Sequence, residues 1–256
     1  WNSDVCSSDL TGNATGGSIE QLATALNAGA VDTLVILGGN PGYTAPAELN
    51  WSAAQRKAKT VVRLSYFEED ETTAACDWQI PAAHYLESWG EARTTDGTLV
   101  PIQPLIAPLF GGMTEIEILA RLAGSTIVSA YEIVRETFAT FVSGDVEGAW
   151  RTFLHDGFLA KSAAKSVSVS LNSSAVSKAI ASAKAPASGL EVVIRPDYSV
   201  DDGRFNNNGW MQELPDPITK FTWDNAVLIS RKTARELSLV NNDVVKITVN
   251  GRSDRK

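Results

Sequence analysis

The stretch at residues 77–112, D-W-Q-I-P-A-A-H-Y-L-E-S-W-G-E-A-R-T-T-D-G-T-L-V-P-I-Q-P-L-I-A-P-L-F-G-G, constrains the fold more than any other part of the chain. His84, Glu87, Glu91 and Arg93 sit among Trp78, Trp89 and Gly90, and a proline-punctuated apolar run follows. A surface loop does not ordinarily hold so many large apolar groups, and a core strand does not hold the charges. The pattern points to a half-buried polar turn, its charges paired with one another, leading into an irregular extended crossing. Pro101, Pro104 and Pro108 exclude a helix interior there. They also argue against a central strand, because proline lacks the N–H that a ladder needs.

The preceding residues set the fold class. Ser18-x-x-Gln21 is a capping box opening a short helix with Ile19, Leu22, Ala25 and Leu26 on one face. Residues 32–37, D-T-L-V-I-L, read as a strand of the kind buried on both faces of a parallel sheet. A helix at 49–59 and a second apolar strand at 60–64 follow. This order predicts an α/β fold: a Rossmann-like, open, mostly parallel sheet with flanking helices. The acidic run at 68–71 reads as a solvated loop.

Beyond the crossing, Thr114-x-x-Glu117 is a second capping box. Ile133, Val134, Phe138 and Phe141, then Trp150, Phe153 and Leu154, recur at helical spacing and read as core. His155, before Asp156-Gly157, suits a helix C-terminus. Residues 161–189, rich in Ser, Ala and Lys, read as a connector with one weak helix at 174–183. Strands are expected at 190–196, 226–230 and 244–249, with a helix at 231–237 and a turn at 241–243.

Both ends look foreign. Residues 5–10, V-C-S-S-D-L, back-translate as the end of a sequencing adapter, and residues 254–256, D-R-K, as its reverse complement. The expected organisation is therefore an artefactual 1–10, an α/β domain at 11–160, a connector at 161–189, a partial barrel-like domain at 190–253 and an artefactual 254–256. Cys76 is then the one remaining cysteine, too few for a disulfide, a zinc site or a cluster. A net charge of -8 argues against nucleic acid as a partner, and no apolar run reaches membrane-spanning length.

Two groups of residues are candidates for chemistry. Gly38-Gly39-Asn40-Pro41-Gly42 follows a buried strand, where open α/β sheets place ligands. Its glycines admit a phosphate or ribose, although Pro41 removes one amide. The alternative is a tight turn. His84, Glu87, Glu91 and Arg93 have the residue types of an acid–base group, and His84 and Glu87 are spaced as neighbours on a helical turn. The alternative, preferred here, is a structural polar network in which Arg93 bridges a carboxylate and His84 bonds Glu87 or a carbonyl. There is no nucleophile elbow, phosphate-binding loop of the Walker type or metal-ligand spacing.

Taken together, several stretches resemble one family. L-V-I-L-G-G-N-P-G-Y-T-A-P at 34–46 is similar to the third domain of the complex-iron–sulfur molybdopterin oxidoreductases. E-T-T-A-A-C-D-W-Q-I-P-A-A-H-Y-L-E-S-W-G-E-A-R at 71–93, the run at 96–112 and G-W-M-Q-E-L-P-D-P-I-T-K-F-T-W-D-N-A at 209–226 resemble one branch. That branch is the large iron–sulfur subunit of alternative complex III, a bacterial respiratory quinol:electron-acceptor oxidoreductase. The resemblance implies that residues 226–251 begin a double-psi β-barrel. It implies a subunit on the periplasmic side of the inner membrane, beside a multihaem cytochrome and integral membrane partners. It also implies iron–sulfur clusters outside this fragment and a molybdopterin site that has lost its cofactor. On the rival reading, a catalytic enzyme binds the pterin dinucleotide, with Gly38, Gly39 and Asn40 touching the nucleotide. His84, Glu87 and Arg93 would then lie near the substrate funnel.

Overall fold

The computed structural model describes residues 17–182, 189–249 and 251–255. Expectations for residues 1–10 and for Lys256 lie outside these. The chain forms two compact units, Trp1–Val169 and Ser170–Lys256.

In the first unit, Ser18 caps α1 (Ile19–Asn27) by the reciprocal bonds its spacing predicts: Gln21 N–H donates to Ser18 Oγ at 3.3 Å, and Ser18 N–H to Gln21 Oε1 at 3.0 Å. There follow β1 (Thr33–Leu37), α2 (Pro41–Thr44), α3 (Trp51–Gln55), β2 (Thr60–Ser65) and β3 (Trp78–Pro81). The three strands make a parallel sheet in the order β1-β2-β3. Leu34, Ile36 and Val61 pack with Ala23 and Leu26 of α1 and Trp51 and Ala54 of α3 into one core. These helices cover a single face, so Val35 and Leu37 stay partly exposed and β1 is not buried on both sides as its apolar run suggests. The helix expected at 49–59 is shorter. Ala47–Leu49 is a 3-10 turn, and Asn50 takes a left-handed φ of 46° before α3 begins.

The crossing contains more regular structure than its prolines suggest. β4 (Gly90–Arg93) and β5 (Leu99–Ile102) form an antiparallel hairpin with Pro101 opposite Glu91. In a two-stranded ladder each strand is an edge, so proline can face outward without costing a hydrogen bond. Residues 103–112 then run without helix or strand to Met113, whose backbone is pinned by Ala83 N–H to Met113 O and Met113 N–H to Pro81 O, both 2.9 Å.

Thr114 and Glu117 close the second capping box, on α4 (Glu115–Leu122). α5 (Ala130–Ala139) and α6 (Val146–Asp156) pack on the hairpin through Leu99, Val134, Phe138, Trp150 and Phe153, flanked by Trp89 and Tyr131. Phe138 stacks on Phe153 at 4.7 Å and meets the edge of Trp150 at 5.1 Å. Phe141 falls past the end of α5 and is exposed. His155 occupies the last turn of α6, which Gly157 ends with a left-handed φ of 77°.

The second unit holds α7 (Ser173–Ser182), α8 (Gly209–Glu213), α9 (Arg231–Glu236) and the antiparallel pair β6 (Lys246–Val249) and β7 (Arg252–Arg255). Strands expected at 190–196 and 226–230 do not form. Neither has a ladder partner among the described residues, and an apolar run becomes a strand only when its backbone groups find one. Across the stretch expected to begin a barrel, 190–253, the described residues form α8, α9 and the β6–β7 hairpin. No described residue of this unit is buried. Among the described residues no helix is long and apolar enough to cross a membrane. The architecture is mixed α/β, with a small parallel three-stranded sheet and flanking helices.

Candidate functional site

Parallel strands deliver their following loops to one edge of the sheet, and here those loops are knotted together. Gly38 and Gly39 adopt φ of 69° and 68°, a left-handed pair that turns the chain sharply off β1. Gly38 N–H donates to Leu64 O at 3.0 Å, and Gly39 O accepts from Arg63 Nη2 at 2.7 Å. Arg63, on β2, is 1% exposed. Its guanidinium forks onto Asp70, with Nη2 2.6 Å from Oδ2 and Nη1 on Oδ1, and Nη1 also donates to Thr73 Oγ. Asp70 accepts further bonds from the backbone N–H groups of Thr72 and Thr73. Burial alone would raise its pKa, but the bonds from Arg63 and Thr73 outweigh that and hold it below its ordinary value.

Asn40 ties the first loop to the second. Its Nδ2 donates to Glu71 Oε2 at 2.7 Å, and its Oδ1 accepts from Thr72 Oγ at 2.6 Å and Thr72 N–H at 3.2 Å. Thr72 Oγ in turn accepts from Gly42 N–H, and Gln55 Nε2 bonds the Thr72 and Ala75 carbonyls. The run at 68–71 is therefore solvated only in part. Glu68 and Glu69 are exposed, whereas Asp70 and Glu71 turn back onto the loop.

This donor set does not fit a phosphate-bearing dinucleotide. Arg63 is neutralised by Asp70, and its remaining Nε is buried without a partner among the described residues. The Asn40 amide is spent on Glu71. A Cβ on Gly38 would stand 3.2 Å from Glu115 Oε1, so another carboxylate lies beside the glycine turn. α2, the helix after the loop, is only four residues long and starts at Pro41, so it presents few free amides to an anion. Among the described residues no three His, Cys, Asp or Glu side chains gather as a metal site.

The residues of the 84–93 segment are divided. His84 and Glu87 share one turn: Glu87 Oε2 accepts from His84 N–H at 3.1 Å, and His84 Nδ1 accepts from Leu86 N–H at 3.2 Å. The ring lies against Tyr85 and Tyr66 at 4.3 and 5.8 Å. Arg93 does not bridge a carboxylate. Its Nη1 donates to Gly97 O at 2.7 Å and its guanidinium lies 5.2 Å from the Phe141 ring centre, because the β4–β5 turn offers a nearer acceptor. Glu91, two residues back on the same strand, keeps Oε2 buried without a partner. Burial pushes its carboxyl up and the Arg93 charge only partly offsets this. Cys76 bonds Gln55 and the Thr72 carbonyl through its Sγ, and burial raises its thiol.

Arg63 and Asp70 are the pair that sequence reasoning missed. The signal was present: one arginine inside the apolar run T-V-V-R-L-S, with an acidic run five residues on.

Comparison with curated proteins found no match. Residues 6–125, which lie within the first unit, match the family model of the molybdopterin oxidoreductases, and this similarity supports that superfamily and a general oxidoreductase-like role for the fold.

Proposed function

We propose that the chain is the molybdopterin-oxidoreductase-like portion of the iron–sulfur subunit of a respiratory quinol:electron-acceptor oxidoreductase, alternative complex III. In this reading it is a scaffold for electron transfer on the periplasmic side of the inner membrane. Its partners are a multihaem cytochrome and integral membrane subunits, and its second unit is the opening part of a C-terminal barrel. The observation that carries the scaffold reading is the closed knot at the sheet edge. The Arg63 fork is spent on Asp70, and Asn40 and Thr72 bond Glu71 and each other, so among these residues no uncompensated cation faces a pyrophosphate. Metal and pterin analysis of the full-length protein tests it. Iron without stoichiometric molybdenum or tungsten is expected, and a stoichiometric pterin with its metal overturns it.

A second reading has one observation in its favour. The left-handed Gly38-Gly39 turn stands at the carboxyl end of β1, where doubly wound sheets bind nucleotides. On that reading the parent is a catalytic molybdopterin-dinucleotide enzyme, and the same metal analysis decides between the two.

A further inference from the structure

The β4–β5 hairpin carries a carboxylate on the side that faces the helices. Residues paired across an antiparallel ladder share a face, and so do residues two apart on one strand. Arg93 pairs with Leu99, and Glu91 pairs with Pro101. Leu99 is 3% exposed and packs with Val134 and Phe138 of α5 and Trp150 and Phe153 of α6. Glu91 therefore stands on the Leu99 side, and its Oε2 is buried without a hydrogen-bond partner among the described residues. No described neighbour supplies the missing donor. β5 has no titratable residue. α5 carries Tyr131, Glu132, Arg135 and Glu136. Tyr131 meets Trp89 and Trp150 edge to face, and Arg135 is paired with Glu147 of α6. The other titratable groups of α6 are Arg151, His155 and Asp156, of which the last two pair with each other. On β4 itself, Arg93 gives Nη1 to Gly97 O, and its charge offsets only part of the cost of burying Glu91.

We propose that Glu91 is a proton-operated latch: protonated, it lets the hairpin seat on α5, and ionised, it loosens that seat. A neutral carboxyl leaves one buried acceptor at modest cost, whereas a carboxylate in the same place lacks both donor and water. Ionised Glu91 regains hydration by swinging out of the interface, and the hairpin lifts as it does so. Trp89, which adjoins β4 and lies 4.9 Å from the Tyr131 ring, moves with it. The direction in pH follows from burial, which raises the Glu91 carboxyl above its ordinary 4.5 against the smaller opposing effect of Arg93. A raised carboxyl gives stability that is fully present below the ordinary value and lost as pH rises through the folded one. The hairpin is thus seated in acid and loosens toward neutral pH. The inference stands on the hairpin and holds equally for a scaffold or a catalytic parent.

The test is an NMR titration of the isotopically labelled 256-residue chain from about pH 4 to about pH 8, following the Glu91 side-chain carboxyl carbon and the Trp89 indole N–H. The Glu91 midpoint is expected above 4.5, with the Trp89 signal moving at the same midpoint. The Trp89–Tyr131 ring contact, read as a nuclear Overhauser effect, should weaken on the high-pH side. Glu91→Gln fixes the neutral form, so its Trp89 signal should stay at the low-pH position throughout. Arg93→Gln removes the offsetting charge and should move both midpoints up. A Glu91 midpoint at or below 4.5, a Trp89 signal that stands still while Glu91 titrates, or a Trp89 movement that persists in Glu91→Gln overturns the proposal. Should Glu91→Gln fail to fold, Arg93→Gln decides: a Trp89 midpoint that it leaves in place overturns the latch.

Discussion

Asp70 and Glu91 show how differently one unit treats two carboxylates. Asp70 collects the Arg63 fork and two backbone N–H groups, so its charge is stabilised and its pKa falls. Glu91 has a buried oxygen with no donor, so its charge is penalised and its pKa rises. Asp70→Asn should therefore cost about 3–5 kcal/mol at neutral pH, because it leaves a buried guanidinium without its counter-charge. The pH dependence follows from the direction of the shift. A depressed carboxyl contributes stability that is present above its ordinary 3.8 and lost as pH falls through the lower folded value. Urea unfolding of both proteins from pH 7 down to acid should show the gap narrowing below that point. A gap that stays constant to low pH would mean that the pair is not what Asp70 contributes.

At the level of elements, much of the first unit was legible because its signals are local. The capping boxes at Ser18/Gln21 and Thr114/Glu117 form as their spacing predicts, since each satisfies its own helix terminus within a few residues. The aromatic helices were legible for the same reason. Strands at 190–196 and 226–230 were misread because a strand is completed by a neighbour far along the chain, and apolar composition does not say whether one exists. Arg93 was misread in a similar way: its charge predicted a carboxylate, but the hairpin turn brought a carbonyl closer. The role of Gly112 was likewise hidden. A Cβ there would come within 2.7–2.8 Å of the Ala82 and Ala83 backbone, where the crossing is bonded to β3's end. Gly112→Ala should lower stability by about 1–3 kcal/mol, since backbone cannot step aside as a flexible side chain can. Gly90→Ala, which in the same unit meets only the Ile102 side chain at 3.5–3.6 Å, is the matched control and should shift the urea midpoint far less.

For the whole molecule, the two units differ in what can hold them folded. Cooperative stability comes mainly from apolar surface removed from water, at roughly 25 cal/mol per Å². Among its described residues the first unit has two such cores, one under the parallel sheet and one between the β4–β5 hairpin, α5 and α6. The second unit has no buried described residue, and Ile194, Trp210 and Ile218 are 89%, 85% and 80% exposed. Its helices and hairpin thus rest on local bonds, which open with little free-energy cost. Hydrogen exchange on the intact chain should accordingly find slow amides in β2, α5 and α6 and near-unprotected amides through α9 and the β6–β7 hairpin. Thermal unfolding should show a single transition that belongs to the first unit. If the β6–β7 amides proved as slow as those of β2, the second unit would have a core of its own. Partner subunits would then not be needed to complete it, and the reading of that unit as the opening part of a larger barrel would lose its physical basis.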